Sequence, residues 1–396
     1  MKKASGGLVL NPVLTLAIIY FLANLYSFIL LISGGEIFVD ALVRTFEESV
    51  VYVTGAALVA SFLFLLLLYR LGCKFFYQKE ELSFSCNWGW FLVIIQCAYL
   101  VNNIYYNVNL AGVEDVGAGS PFKLFFSMFQ PDLIYLVLAV GIVSNRLFWL
   151  NLVIFSFSMV LRGWMGGFLV VFIIYLCRSY PVKIGLKPFL WLSTFLFVCI
   201  LLFPFFIELK WVLRSGGYWG GVWNNVVDQG YLSSLGNSLA YLLSRFQMFG
   251  HIALITENSN EIANSYENNE FIPYWADGLI QWFILKINDI EVFQLNRYMV
   301  NVFFDSDNMA YSTNPGIAGW ILFLQFGVIV FIAYICMIVL LPAFYMFRYA
   351  GQKYFLLLFS FVFIYLFHGW IGAYFNLVIY LVFFLYIKRK FFKKIP

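Results

Sequence analysis

Charged side chains are scarce in this chain: Asp, Glu, Lys and Arg together make up 11% of 396 residues, and histidine occurs twice. A soluble globular domain carries about 25% charged residues, so the composition speaks against two or three water-soluble domains. The histidines, His251 and His368, stand far apart, and the six cysteines show no CxxC spacing. Neither a metal site nor a disulfide framework is expected from that pattern. Glycine-rich phosphate loops of the GxxxxGK[ST] and GxGxxG kinds are missing, as are HExxH and GxSxG. ATP-driven transport and hydrolase chemistry therefore lack their signatures. Regular apolar–polar alternation is missing too, which argues against an outer-membrane β-barrel.

What the chain has in quantity is apolar sequence, 63% of its residues. Runs near 12–33, 49–70, 89–107, 122–144, 147–161, 164–177, 188–207, 316–342, 354–368 and 370–387 predict membrane helices. Most of these runs approach the roughly 20 residues that a helix needs to cross the hydrocarbon core. The fourth carries Pro131 and Asp132, which predicts a kink or an interfacial start. The fifth and sixth are separated only by Arg162 and Gly163. The first run is too long for the h-region of a cleavable signal and reads as the first membrane helix. The expectation is an all-α, polytopic helical bundle of about ten membrane helices. Residues 1–207 form its N-terminal part, 208–315 a large external loop, and 316–396 the C-terminal helices and tail.

Orientation follows from lysine and arginine. With the N-terminus inside, 16 of the 24 basic residues fall in the short inward segments. The even helix count then places both termini in the cytoplasm. The net charge of +4 is a topology signal, and no basic soluble domain offers itself to nucleic acid. No internal repeat of the kind that marks many transporters is evident. The external loop holds 11 acidic and five basic residues. Within it, 239–256 and 278–288 read as amphipathic helices that lie on the membrane surface or dip into the bundle. On one such helix Arg245 and His251 would share a side only loosely.

Charges out of place are the candidate functional residues. Arg162 sits at the outer membrane edge, against the positive-inside bias. A planar, permanently charged guanidinium there suits a phosphate clamp, and the alternatives are snorkelling to headgroups or pairing with Asp132 or Glu208. Arg214 precedes Ser215-Gly216-Gly217, Arg245 lies in an apolar segment, and Arg297 is the last outward arginine. Together these arginines would suit a diphosphate headgroup. For a base the candidates are Asp305, followed by Asp307, and His251. An Asp-x-Asp pair alone is weak ground for a metal, and no metal or other cofactor is expected.

The ten helices, the long outward loop in the second half and the outward arginines resemble the O-antigen polymerases and the related O-antigen ligases of bacterial envelopes. Leu161-Arg162-Gly163 looks like the arginine–glycine step of repeat-unit polymerases. Asn314-Pro315-Gly316-Ile317-Ala318-Gly319, followed by Phe326-Gly327, resembles the start of the helix after their catalytic loop. Ser306, nine residues, Gly316 and Gly319 fit the spacing of the ligase motif, but its histidine position holds Asp305. That departure favours a polymerase with a carboxylate there. The resemblance implies a GT-C-like glycosyltransferase of the inner membrane that joins undecaprenyl-diphosphate-linked repeat units at the periplasmic face. Membrane lipid would be a partner, and a chain-length regulator another.

Overall fold

The computed structural model describes residues 8–39, 42–74, 81–110, 120–164, 166–215, 220–288, 293–304 and 313–391. Among them are eighteen α-helices. In chain order these begin with α1 (Pro12–Ile32), α2 (Glu48–Lys74), α3 (Cys86–Tyr106), α4 (Lys123–Met128), α5 (Pro131–Ala139), α6 (Asn145–Leu161) and α7 (Gly167–Ser179). Next come α8 (Leu186–Ser215), α9 (Gly221–Asp228), α10 (Tyr231–Phe246), α11 (Phe249–Glu257), α12 (Ser259–Glu267), α13 (Leu279–Ile287) and α14 (Leu295–Phe304). The last four are α15 (Gly316–Phe323), α16 (Val328–Ala350), α17 (Gln352–Phe361) and α18 (Ile371–Phe391). Among the described residues, strand structure is confined to two short antiparallel pairs, Leu8–Leu10 with Val182–Ile184 and Ile37–Val39 with Leu42–Arg44.

Pro12–Ile32, Glu48–Lys74, Gln325–Ala350 and Ile371–Lys390 are long and apolar enough to cross a membrane. Asn145–Leu161, Gly167–Ser179 and Gln352–Leu366 are shorter apolar helices. Large apolar side chains stand bare on the long helices; Ile329, for one, is 77% exposed. Such surfaces are stable against hydrocarbon rather than water. The chain is an all-α membrane protein.

The helical runs lie close to where hydropathy puts them, and the differences have local causes. Residues 122–144 divide into α4 and α5. Pro131 opens α5 at a position where a proline's missing N–H costs nothing, and Gln130 before it is extended (φ −68°, ψ 107°). The segment 239–256 is also two helices, α10 and α11. The Gln247 side chain accepts from the Gly250 N–H at 3.0 Å, and Asn24 Oδ1 accepts from the Met248 N–H at 2.8 Å. These bonds satisfy the donors of a fresh helix start. Arg245 and His251 therefore do not share a helix, which corrects the reading of one continuous segment. Further on, 316–342 is interrupted by a 3₁₀ turn at Gln325–Gly327, where Gln325 takes a φ of +46°.

The chain groups into two compact units: Met1–Thr15 with Phe84–Arg245, and Leu16–Ser83 with Phe246–Pro396. They cut across the three consecutive segments read from the sequence. In the first unit α5 is buried along its length from Leu133 to Ala139, packed by α3, α6 and α7. A helix apolar on all sides belongs in an interior. Gln96 donates to Asn151 at 2.9 Å, and Asn151 to the Gly89 carbonyl at 3.1 Å, tying α3 to α6. In the second unit α11 packs on α2 and α15, with Thr54 and Thr256 hydroxyls 2.9 Å apart.

Candidate functional site

Arg162 terminates α6, and the arginine–glycine step is a helix C-cap. Gly163 takes φ +71°. Its N–H donates to the Val160 carbonyl at 2.9 Å, and the Trp164 N–H donates to Met159 at 2.8 Å. This is a Schellman turn, whose left-handed residue is glycine because a Cβ would be strained there. The turn aims Arg162 back into the unit, where it is 3% exposed. Its two terminal nitrogens meet the Asp132 carboxylate at 2.9 and 3.0 Å. Nη1 also donates to Tyr99 Oη at 3.3 Å and Nε to the Ser158 carbonyl at 3.3 Å. The pairing with Asp132 raised from the sequence is thus the observed state, a two-pronged fork. Asp132 lies in the first turn of α5, where a carboxylate also meets the positive end of the helix. At the far end of α5, Arg178 donates to the Ala139 carbonyl at 3.3 Å and to that of Ile142.

A second polar centre in the same unit involves Arg245. Lys210, on α8, is 2% exposed; its ammonium donates to Tyr241 Oη and lies 4.4 Å from the Tyr241 ring centre and 4.3 Å from that of Trp211. The Arg245 guanidinium lies 4.7 Å from the same Tyr241 ring. Two cations share one aromatic ring, whose negative face favours both. Beside them is a cleft of about 320 Å³ between α8, α9 and α10. From α8 it is lined by Pro204, Ile207, Glu208 and Trp211, and from α10 by Ser234, Asn237, Ser238 and Tyr241. Both sets follow i, i+3, i+4, i+7 spacing, so each is one face of its helix. Tyr231 Oη donates to the Leu201 carbonyl at 2.7 Å and fixes the start of α10 on α8. Arg214 falls in the last turn of α8, and its side chain lies outside the described residues.

In the second unit His251 is 2% exposed, in a helix whose residues Phe249 to Ile255 are all buried. The glycines of the Asn314–Gly319 run bring α15 against that helix: a Cβ on Gly316 would meet Ile252 Cδ1 at 3.1 Å, and one on Gly319 would meet Ile255 Cδ1 at 2.5 Å. Gly316 takes φ +66°, and its N–H donates to the His368 carbonyl at 3.1 Å. The His368 ring bonds Tyr20 Oη at 2.9 Å, so this histidine is a packed interior group. Arg297 is half-exposed on α14. Asp305, Ser306 and Asp307 lie outside the described residues.

Asp277 is a half-buried carboxylate not singled out by sequence. It accepts from Gln294 Nε2 at 2.6 Å and from the Gly372 N–H at 2.8 Å, which caps α18 from a distant segment. Burial pushes its pKa up, against the lowering effect of these bonds. Lys210 is likewise missed by a search for outward arginines, and Glu208, named from the sequence as a possible partner of Arg162, instead accepts from the Asn225 amide. Their readable signal is the polar stripe 234, 237, 238, 241 at helical spacing. No family model, curated protein or solved structure matches the chain.

Proposed function

We propose that this protein is a glycosyltransferase that polymerises undecaprenyl-diphosphate-linked oligosaccharide repeat units at the periplasmic face of the bacterial inner membrane. The observation that carries the reading is the pair of cations, Lys210 and Arg245, on Tyr241 beside a polar, aromatic cleft. In a chain 63% hydrophobic, such a concentration of polar chemistry at the end of a long apolar helix suits a lipid-linked headgroup. Cations stabilise a leaving diphosphate without a metal, and aromatic faces with amides and hydroxyls bind sugars. The reading keeps about ten membrane crossings in a GT-C-like arrangement, with both termini cytoplasmic and 208–315 external.

In the reaction an acceptor sugar hydroxyl attacks the anomeric carbon of the donor glycan. The bond to the lipid diphosphate breaks, the diphosphate leaves with the electron pair, and a base takes the hydroxyl proton. Asp305 and His251 are the bases the sequence offers. His251 is sealed inside α11, which weights the choice towards Asp305. The diphosphate role moves from Arg162, whose nitrogens are occupied by Asp132, Tyr99 and Ser158, towards the exposed Arg245, with the buried Lys210 holding Tyr241 behind it. Arg162 then acts as a positioning residue for the start of α5.

The test is complementation of a deletion strain at matched protein levels. Wild type restores long surface glycans, whereas Arg245→Ala and Lys210→Met leave a single repeat unit attached to its acceptor. Normal long chains in the deletion strain overturn the reading. A deletion that leaves no unit attached indicates a ligase, and lipid-linked units trapped in the inner leaflet indicate a flippase.

A further inference from the structure

We infer that the cleft between α8, α9 and α10 is a binding subsite for neutral sugar rings of the glycan, with Trp211 as stacking platform and Glu208 as acceptor for sugar hydroxyls. This rests on the glycan chemistry proposed above and assigns it a place. The way α10 is turned comes first. Its polar stripe of Ser234, Asn237, Ser238 and Tyr241 lines the cleft, while Leu232 and Leu243 on other faces are exposed. A helix of a soluble protein does the reverse, with apolar side in and polar side out. On this face Ser234 and Ser238 are buried, Ser234 Oγ donates to the Val226 carbonyl at 3.4 Å and Tyr241 Oη accepts from Lys210, while the Asn237 amide is exposed beside the cleft and is open to a polar occupant.

The chemistry of the walls selects the occupant. Glu208 lines the cleft and accepts from the Asn225 amide, so its second oxygen's lone pairs suit hydroxyl donors and its charge disfavours phosphate in the cleft itself. A single carboxylate is too few ligands for a calcium or magnesium ion. Trp211, on the same face of α8, offers an indole surface, and Gln229 and Asn237 offer amides that both donate and accept. Aromatic face, carboxylate, amides and hydroxyls together match a pyranose, which is apolar on its C–H faces and ringed by hydroxyls. The volume of about 320 Å³ sits at the small end of ligand pockets, room for roughly one or two rings. Tyr241 belongs both to this cleft and to the cation pair, so sugar and diphosphate would lie side by side in the order they have in a lipid-linked glycan.

The experiment uses the full chain in lipid nanodiscs. The probe is the repeat-unit oligosaccharide released by mild acid from the lipid-linked pool of the producing cells, so that it carries no phosphate. Binding is followed by calorimetry and by hydrogen-exchange protection of residues 221–241. Protection of α9 and α10 is expected, and Trp211→Ala, Glu208→Gln and Asn237→Ala should each weaken binding by roughly tenfold, the worth of one charged hydrogen bond or more. Trp211 and Asn237 are exposed in the structure, so their substitution tests binding without emptying a core. Inorganic pyrophosphate should bind the Glu208→Gln protein at least as well as wild type. Absence of saturable oligosaccharide binding to wild type, or unchanged affinity in all three variants, overturns the inference. Oligosaccharide binding that depends on these residues in a chain whose deletion leaves surface glycans normal keeps the subsite and removes the polymerase. Polymerase activity with unaltered acceptor KM and donor KM in the variants does the opposite.

Discussion

Removing Asp132 should cost the protein far more than removing Asp132 and Arg162 together. Arg162 is 3% exposed and both ends of its guanidinium fork rest on the Asp132 carboxylate at 2.9 and 3.0 Å. Replacing Asp132 by leucine strands a permanently charged group in a low-dielectric interior, with Tyr99 Oη, the Ser158 carbonyl and the weak acceptor Met159 Sδ left to it but no opposite charge. Breaking a buried pair in this way costs about 3–5 kcal/mol, whereas replacing both partners by apolar groups of similar volume is often neutral. The Asp132 side chain is 31% exposed, which admits some solvent screening and puts the expected loss for Asp132→Leu near the lower figure. Arg162→Met leaves a carboxylate at the N-terminus of α5, where water and the helix dipole support it, and should cost about 1–2 kcal/mol. The double variant should recover most of the stability lost by Asp132→Leu, a coupling of at least about 2 kcal/mol. Reversible unfolding in mixed micelles, read by tryptophan fluorescence, measures the cycle. Additive costs in the double variant would refute the pairing argument. The same proteins divide the two roles of Arg162: a folded double variant that makes long glycans excludes it as a diphosphate ligand, and a folded but inactive one restores that role.

Two further outcomes follow from the second unit. Gly369→Ala should destabilise more than Gly319→Ala: the first puts a Cβ 2.5 Å from the Gly316 backbone nitrogen at φ +83°, while the second meets only the mobile end of Ile255 at 2.5 Å. Backbone cannot yield as a side-chain tip can, so about 1–3 kcal/mol is expected for Gly319→Ala and more for Gly369→Ala; equal melting temperatures would contradict this ranking. Asp277 has a folded-state pKa raised above 3.8 by burial, so its protonated form is favoured by folding. Its contribution is present in full below its unfolded pKa and is lost as pH rises through the raised folded value. Wild type should therefore lose stability relative to Asp277→Asn as pH climbs from 3.8 through that window, and a flat difference between the two melting curves would reject the assignment.

Hydropathy makes the helical runs legible because a run of apolar residues is a local property. Breaks in them are legible only when the cause is local as well. Pro131 announces the division of 122–144. The break between Phe246 and Phe249 does not announce itself, because half of its cap is Asn24, more than two hundred residues earlier in the chain. The candidate site divides the same way. Arg162-Gly163 can be read as a helix end, and Asp132 can be named among its partners. The 234, 237, 238, 241 stripe is likewise present in the sequence. That α8 turns 204, 207, 208 and 211 towards it depends on packing, and so does the use of Tyr241 by a lysine hidden in an apolar run.

Several charges among the described residues sit at helix ends, which bears on how the function should be sought. Asp132 sits at the start of α5 and Arg178 at its finish. The Glu81 carboxylate accepts from the Gln352 and Lys353 N–H groups at 3.1 and 3.4 Å and so caps α17. Asp277 does the same for α18. Each occupies the end of the helix whose partial charge it complements. In a chain with so few charges, an isolated arginine or carboxylate is accordingly as well explained by a helix end as by a substrate, and a lone charge is weak ground for a site. Lys210 and Arg245 are placed differently. Arg245 does lie in the last turn of α10, where a cation suits the helix, but Lys210 lies within α8, and what joins the two is a tyrosine ring that also lines a hollow. Under the proposed function, substitution of the exposed Arg245 should therefore alter glycan chain length at unchanged protein level, whereas those of Asp132, Arg178, Glu81 and Asp277 should lower the protein level itself.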